Sequence, residues 1–157
     1  MDEKIRRVAQ AYADECYEEE LELLRTLAQI PAPSGHEEQR AEFIRNWLLE
    51  QGAPVGSVRV DDAKNVILSL PGPANGDDGI AVFAAHTDVV FPDTEPLPLA
   101  ESKTRLLAPG VGDDTANLVG LLLAARYLLR HNVPLDRRVL VVANSCEEGL
   151  GNLAGTR

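Results

Sequence analysis

The sequence predicts an α/β domain in which helices cover a largely buried sheet. Three observations carry this expectation: two leading segments with helical apolar spacing, a series of short apolar runs of strand length, and a strongly apolar helical segment between the last two runs.

The first segment places Ile5, Val8, Tyr12, Cys16, Leu21, Leu24 and Leu27 at mostly helical spacing, with room for a break at Glu18-Glu19-Glu20. Ile30-Pro31-Ala32-Pro33 ends it, because proline lacks an amide donor and biases its predecessor away from helix. Ser34-Gly35-His36-Glu37 has the form of a capping box, so a second helix is expected over 34–52 through Ala41, Ile44, Trp47 and Leu48, with Gly52 as its stop. Val58 and Val60 alternate with polar neighbours, as in a half-exposed strand. The runs 66–70, 80–85 and 139–143 read as strands buried in a covered sheet, and 115–131 as an apolar helix. Pro71-Gly72-Pro73 and Asn75-Gly76 mark turns. No internal repeat or low-complexity tract interrupts this order.

Composition narrows the function classes. At 157 residues, 45% hydrophobic and 25% charged, the chain can bury a core of ordinary globular type. Twenty-five acidic side chains against 15 Lys and Arg give a net charge of −10, which argues against nucleic acid or an anionic membrane as partner. No apolar run approaches the roughly 20 residues of a membrane span, and the charged start Met1-Asp2-Glu3-Lys4 does not read as a signal peptide. Cys16 and Cys146 sit in unrelated contexts and suggest no disulfide framework, so a cytoplasmic location is expected.

Three clusters flank these elements. His86-Thr87-Asp88 follows the run 80–85, Gly110-Val111-Gly112-Asp113-Asp114 opens the apolar helix, and Asn144-Ser145-Cys146-Glu147-Glu148-Gly149 follows 139–143. Loops beyond the carboxyl ends of sheet strands are where ligand sites gather. Imidazole and carboxylate are the donors a hard or borderline cation takes. His86 would be a ligand with Asp88 holding its ring. Asp113 or Asp114 could bridge two ions, and adjacent glutamates could divide metal binding from proton transfer. Each cluster also has an ordinary reading. His86 could be a satisfied core histidine, Asp113-Asp114 could answer a helix dipole, and Glu147-Glu148 could be a solvated pair. The paired glycines complete no phosphate-binding pattern, His36 and His131 read as surface residues, and Cys146 lacks a base for nucleophilic work. The ordinary readings explain the clusters singly but not together.

Taken in order, Ala84-Ala85-His86-Thr87-Asp88-Val89-Val90, Gly110-Val111-Gly112-Asp113-Asp114 and Glu147-Glu148-Gly149-Leu150-Gly151 resemble the M20 family of metallopeptidases. The junction Ile30-Pro31-Ala32-Pro33-Ser34-Gly35 resembles that family's usual opening. The resemblance implies a layered zinc-peptidase-like catalytic domain with helices covering a mixed central sheet. It implies two divalent metal ions, zinc before cobalt or manganese. His86, Asp113 and Glu148 would be metal ligands, with Asp113 bridging both ions and preceding a cis bond to Asp114. Asp88 would orient His86, and Glu147 would be the general acid/base in hydrolysis of an amide bond in a small peptide or N-acyl amino acid. Thr115 stands where many members carry lysine. The family's remaining ligands and its lid or dimerisation domain are not among residues 1–157. The chain is therefore expected to be the N-terminal portion of a catalytic domain, with 1–30 and 34–52 as leading helices and 56–157 as the motif-bearing core. A homodimer is left open for the full-length form. The alternative is a truncated, catalytically incomplete chain that binds metal weakly.

Overall fold

A computed structural model describes residues 3–74 and 79–157; Met1-Asp2 and the expected Asn75-Gly76 turn lie outside the described residues. Helix α1 (Glu3–Gln29) is unbroken through the Glu18-Glu19-Glu20 run. Glu18 and Glu19 are exposed and Glu20 is half-buried, with Glu19 paired to Arg126, so continuing the helix there buries no unpaired carboxylate deeply. Ile5 and Val8 are exposed, and α1 meets the core through Cys16, Leu23, Leu27 and Ala28.

Helix α2 runs over Glu38–Glu50, four residues later than the capping-box reading of 34–52. Glu37 stands at the N-cap without a side-chain cap bond, and the Ser34 hydroxyl is engaged elsewhere. Gly52, at φ +99°, follows the helix in the left-handed region that glycine tolerates.

Strands β1 (Val58–Val60), β2 (Val66–Leu70), β3 (Ile80–His86) and β6 (Arg138–Asn144) form one sheet in the order β1-β2-β6-β3. The first two pairings are antiparallel and β6–β3 is parallel, which makes the sheet mixed. Helix α3 (Ala116–Arg130) lies in the connection between the parallel strands. Val66, Leu68, Leu70, Val139, Val141 and Ala143 share a face and join Leu27, Ile44, Leu48, Leu118 and Leu122 in the core. Every second residue of a strand points to one face, so the neighbours Leu140 and Val142 turn away and are only half-buried.

Two expectations need correction. The run 80–85 is not covered on both sides: β3 is an edge strand, with Ile80, Val82 and Phe83 at 52%, 58% and 56% exposure. A hairpin of β4 (Ala100–Ser102) and β5 (Arg105–Leu107) has no counterpart in the sequence reading. Its strands are short and almost wholly exposed, so they leave no apolar alternation. Arg25 on α1 grips it through a two-pronged pair with Glu101 at 2.8 and 2.5 Å.

The register fixes where chemistry can occur. Ala85 pairs with Ala143 and His86 with Asn144, so the parallel strands end side by side. The Thr87 amide continues the ladder to the Asn144 carbonyl at 2.7 Å. Val89 extends the contact to the α1–α2 junction, its amide donating to the Ala32 carbonyl at 2.9 Å.

Leu118 is fully buried between α1 and the sheet's core face, whereas Val8 is 43% exposed. Leu118→Ala is expected to cost about 2–5 kcal/mol in urea unfolding, with the midpoint shifting and the slope unchanged. Val8→Ala should fall within about 0.5 kcal/mol of the parent.

Candidate metal centre

The three clusters meet at the carboxyl ends of β3 and β6. His86 is the last residue of β3, and its ring is 9% exposed. Nδ1 lies 3.0 Å from the Asp88 carbonyl oxygen and 3.6 Å from the nearer Asp88 carboxylate oxygen. With Nδ1–H donating there, Nε2 faces the opposite side. That side holds Asp113 Oδ1 at 3.2 Å and Glu147 Oε2 at 3.9 Å. One donor atom from each of His86, Glu147 and Glu148 lies within 4.8 Å of the others.

Asp88 lies just beyond the strand and is fully buried, yet its carboxylate is well satisfied. It accepts the Ser34 hydroxyl at 2.6 Å, the Glu147 amide at 2.9 Å and the Glu148 amide at 3.0 Å. Burial alone would push its pKa up. The neighbouring His86, the Ser34 hydroxyl and the two amides outweigh that and bring it to about 2. His86 is pushed up to about 9, chiefly by the Asp88 carboxylate, against the opposing effect of burial and with further help from Asp113.

Asp113 and Asp114 are joined by a cis peptide bond, as the resemblance implied. Within the wide turn Val111–Thr115, Asp113 leaves helical geometry at φ −139°, ψ 90°, and its side chain is 83% exposed. Asp114 turns the other way, accepting the His86 amide at 3.1 Å and the Asn117 side-chain amide at 2.5 Å. The turn begins at Gly110, φ +67°, where an added Cβ would stand 2.3 Å from Val89 Cγ1. Thr115 is buried, donating to the Gly110 carbonyl at 2.9 Å. Its hydroxyl also lies 3.5 Å from the Arg40 guanidinium, so a second cation would be ill placed there.

The donor set suits a divalent cation, which would displace the Nε2 proton: one imidazole nitrogen and several carboxylates crowded at one spot. Glu148 registers the crowding, its carboxyl held above the usual range by burial and by the adjacent Asp113, Glu147 and Asp88 carboxylates. A cation would relieve that repulsion. His86, Asp113, Glu147 and Glu148 are the residues that could hold one. Beside them a cavity of about 370 Å³ is bounded by Val90, Phe91, Ala108 and Val111, and reaches Asp113 and Glu148.

Sequence reasoning missed the supports. Arg40 is fully buried and spans two junctions, donating to the Thr87 carbonyl at 2.7 Å and the Ile30 carbonyl at 2.6 Å. Burial lowers its pKa to about 10, although Asp88 opposes the shift. Ser34, Glu37 and Asp114 also act across long sequence separations. Their signal was a cap-like motif and a helix-opening acid pair, which local reading assigns to helix ends.

Metal-type donors thus stand together at the ends of two parallel strands of an α/β domain. Residues 82–157 match the model of peptidase family M20/M25/M40. The fold is similar to aminopeptidase PepT from Bacillus cereus at 22% identity and TM-score 0.66, over 84% of this chain and 37% of that one. Human carnosine dipeptidase 1 gives 16% identity and TM-score 0.67, covering 88% and 34%. A dinuclear metal-binding peptidase of the M20 family from Bacillus subtilis gives 18% identity and TM-score 0.55, covering 94% and 40%. The similarity to the M20 peptidase family thus extends over residues 82–157 by sequence, and over most of the chain's length by fold. It spans between a third and two-fifths of the length of these solved structures. No curated protein matches it by sequence.

The mutual pKa shifts give a pH window for the metal-free chain. Asp88, with its pKa lowered, contributes stability above about pH 3.8 that is lost as pH falls through about 2. His86, with its pKa raised, contributes stability below about pH 6.5 that is lost as pH rises through about 9. Thermal midpoints in the presence of a chelator should therefore hold a plateau between those inner limits and decline on both sides. Asp88→Asn should lower the plateau and flatten both flanks; unchanged flanks would refute the pairing.

Proposed function

We propose that this chain contributes the N-terminal part of the catalytic domain of a metal-dependent hydrolase acting on the amide bond of a small peptide or N-acyl amino acid. The reading rests above all on the approach of Asp113 and Glu147 to the free nitrogen of His86, whose other nitrogen Asp88 already occupies. His86, Asp113 and Glu148 are the residues that would hold the metal, with Asp113 able to serve both ions. Zinc suits this donor set best, and cobalt or manganese would serve. Two such ions, when bound, would polarise the amide carbonyl and lower the pKa of the attacking water.

This chain's own groups carry the remaining steps. Asp88 keeps the His86 ring in one tautomer and orientation through Nδ1. Glu147, with its amide pinned by Asp88, stands 3.9 Å from His86 Nε2 and is partly exposed, within reach of an incoming substrate. Its carboxylate would take a proton from the attacking water and pass it to the leaving amine. The cavity next to Asp113 and Glu148 combines apolar walls with an acidic rim, so it would receive a small substrate side chain beside the scissile bond. The surplus of acidic residues disfavours nucleic acid as a partner, and among the described residues no helix is long and apolar enough to cross a membrane.

A second reading has its own observation. Assigning Glu147 to proton transfer leaves His86 and Asp113 for one ion and Asp113 and Glu148 for the other, below the three protein ligands usual at a catalytic zinc. Metal binding without turnover by this chain alone would follow.

Zinc titration with a dipeptide hydrolysis assay separates the readings. In the active protein carrying this chain, Glu147→Gln should keep its metal and lose about 10²–10⁴-fold in turnover. Undiminished turnover would remove Glu147 from the acid/base role, and lost metal would make it a ligand instead.

A further inference from the structure

We propose that Glu37, at the entrance to α2, is a positioning residue that sets where the Glu147 and Glu148 carboxylates stand relative to His86; its bearing on metal affinity rests on the reading above. Glu37 is fully buried. A carboxylate at that depth needs strong partners, since desolvating it unpaired is costly. Its partners do not belong to α2, for it makes no side-chain cap bond there.

Oε1 accepts the Gly35 amide at 2.8 Å and the Cys146 amide at 3.1 Å, with the Cys146 thiol at 3.3 Å. Asp88 accepts the next two amides, those of Glu147 and Glu148. Three successive N–H groups thus converge on two buried carboxylates. Consecutive backbone amides forming a concavity for anions are a recurrent motif. Here both anions are supplied by the protein, one from each side of the α1–α2 junction and β3. Cys146, whose amide meets Glu37, takes a left-handed φ of +53°. Gly151 packs against the same residue so closely that an added Cβ would lie 2.5 Å from Cys146 Cα. Both contacts hold the turn.

The two oxygens of Glu37 have different surroundings. Oε2 makes no hydrogen bond and lies 3.6 Å from the Lys64 ammonium, which also pairs with Glu38 at 2.8 Å and donates to the Gly35 carbonyl. Positioning therefore depends on the reach of Oε1, whereas a purely electrostatic role would depend on charge. Two substitutions separate these. Glu37→Gln keeps the length and an acceptor oxygen but loses the charge. Glu37→Asp keeps the charge but withdraws the acceptor by one methylene.

Amide hydrogen exchange at Cys146, Glu147 and Glu148 would be measured in the 157-residue chain. Cobalt titration, followed by visible absorption, and the thermal midpoint complete the comparison. Glu37→Asp should speed exchange at these amides and weaken cobalt binding, each by about tenfold or more, while Glu37→Gln stays within about threefold of the parent. Glu37→Gln as impaired as Glu37→Asp, or Glu37→Asp with parental exchange, overturns the proposal. So does altered exchange with unaltered cobalt affinity. If Glu37→Asp does not fold, Glu37→Gln decides alone, because faster exchange at its Cys146 amide is incompatible with an acceptor set by reach. A parent chain that takes up no cobalt would sink the metal-centre reading, while the exchange comparison still decides whether Glu37 holds the turn.

Discussion

The arrangement depends on one buried carboxylate. Asp88 gathers a hydroxyl from the α1–α2 junction, two amides from the turn after β6 and the ring of the histidine that ends β3. Each donor comes from a segment remote in sequence from the other two. An anion at that depth is tolerable only while its lone pairs are filled, so the three segments must arrive together. The parallel β3–β6 register brings two of them level, and the Pro33–Val89 bridge brings the third. Fold and site are therefore specified by the same contacts. A change that loosens Asp88 would disturb the core's polar cap as much as the chemistry above it.

Much of this was legible in the sequence because the relevant signals were periodic or local. The apolar runs at 66–70 and 139–143 became strands, since partial or full cover of both sheet faces there leaves a short continuous pattern. The helix expected over 115–131 formed over Ala116–Arg130 for the same reason at helical period. Residue type and position pointed to His86, to Asp113 or Asp114, and to the Glu147-Glu148 pair, the resemblance singled out Asp113, and the fold brings His86, Asp113, Glu147 and Glu148 to one end of the sheet. What stayed hidden was tertiary. Ser34-Gly35-His36-Glu37 obeys a helix-start rule, yet Asp88 takes the hydroxyl and Cys146 shares the Glu37 carboxylate with Gly35, leaving α2 to begin at Glu38. A long-range acceptor outcompeted the local one, and no pattern within four residues records such competition. Arg40 was invisible for a similar reason: in a helical pattern an arginine reads as solvated, whereas here it bonds two loop carbonyls from full burial.

Charge is distributed unevenly between the two ends of the core. Near α1 and α3, Arg126 is enclosed by the Tyr12 hydroxyl at 2.8 Å, Glu19 at 2.5 Å and the Cys16 sulfur at 2.9 Å, so positive charge is neutralised locally. At the site end acidic groups outnumber the cations beside them, and the carboxylates lean on His86, Arg40 and backbone amides. The ion pairing around Arg126 and the charge excess at the site end are thus separated in space. An excess of like charge costs stability, and it persists most readily where a ligand of opposite sign offsets it.

The edge strand β3 has a bearing on how the polypeptide behaves in solution. It carries the site histidine at its end, pairs on one side with β6, and presents Ile80, Val82 and Phe83 to solvent along its length. An open, apolar strand edge is a template for another strand, and its main-chain groups do not discriminate between a correct partner and a second molecule. Self-association through β3 would bring two net-negative molecules together, so salt that screens the −10 charge would lower the electrostatic barrier to it. Colloidal stability of this chain is thereby tied to the strand that delivers its proposed metal ligand.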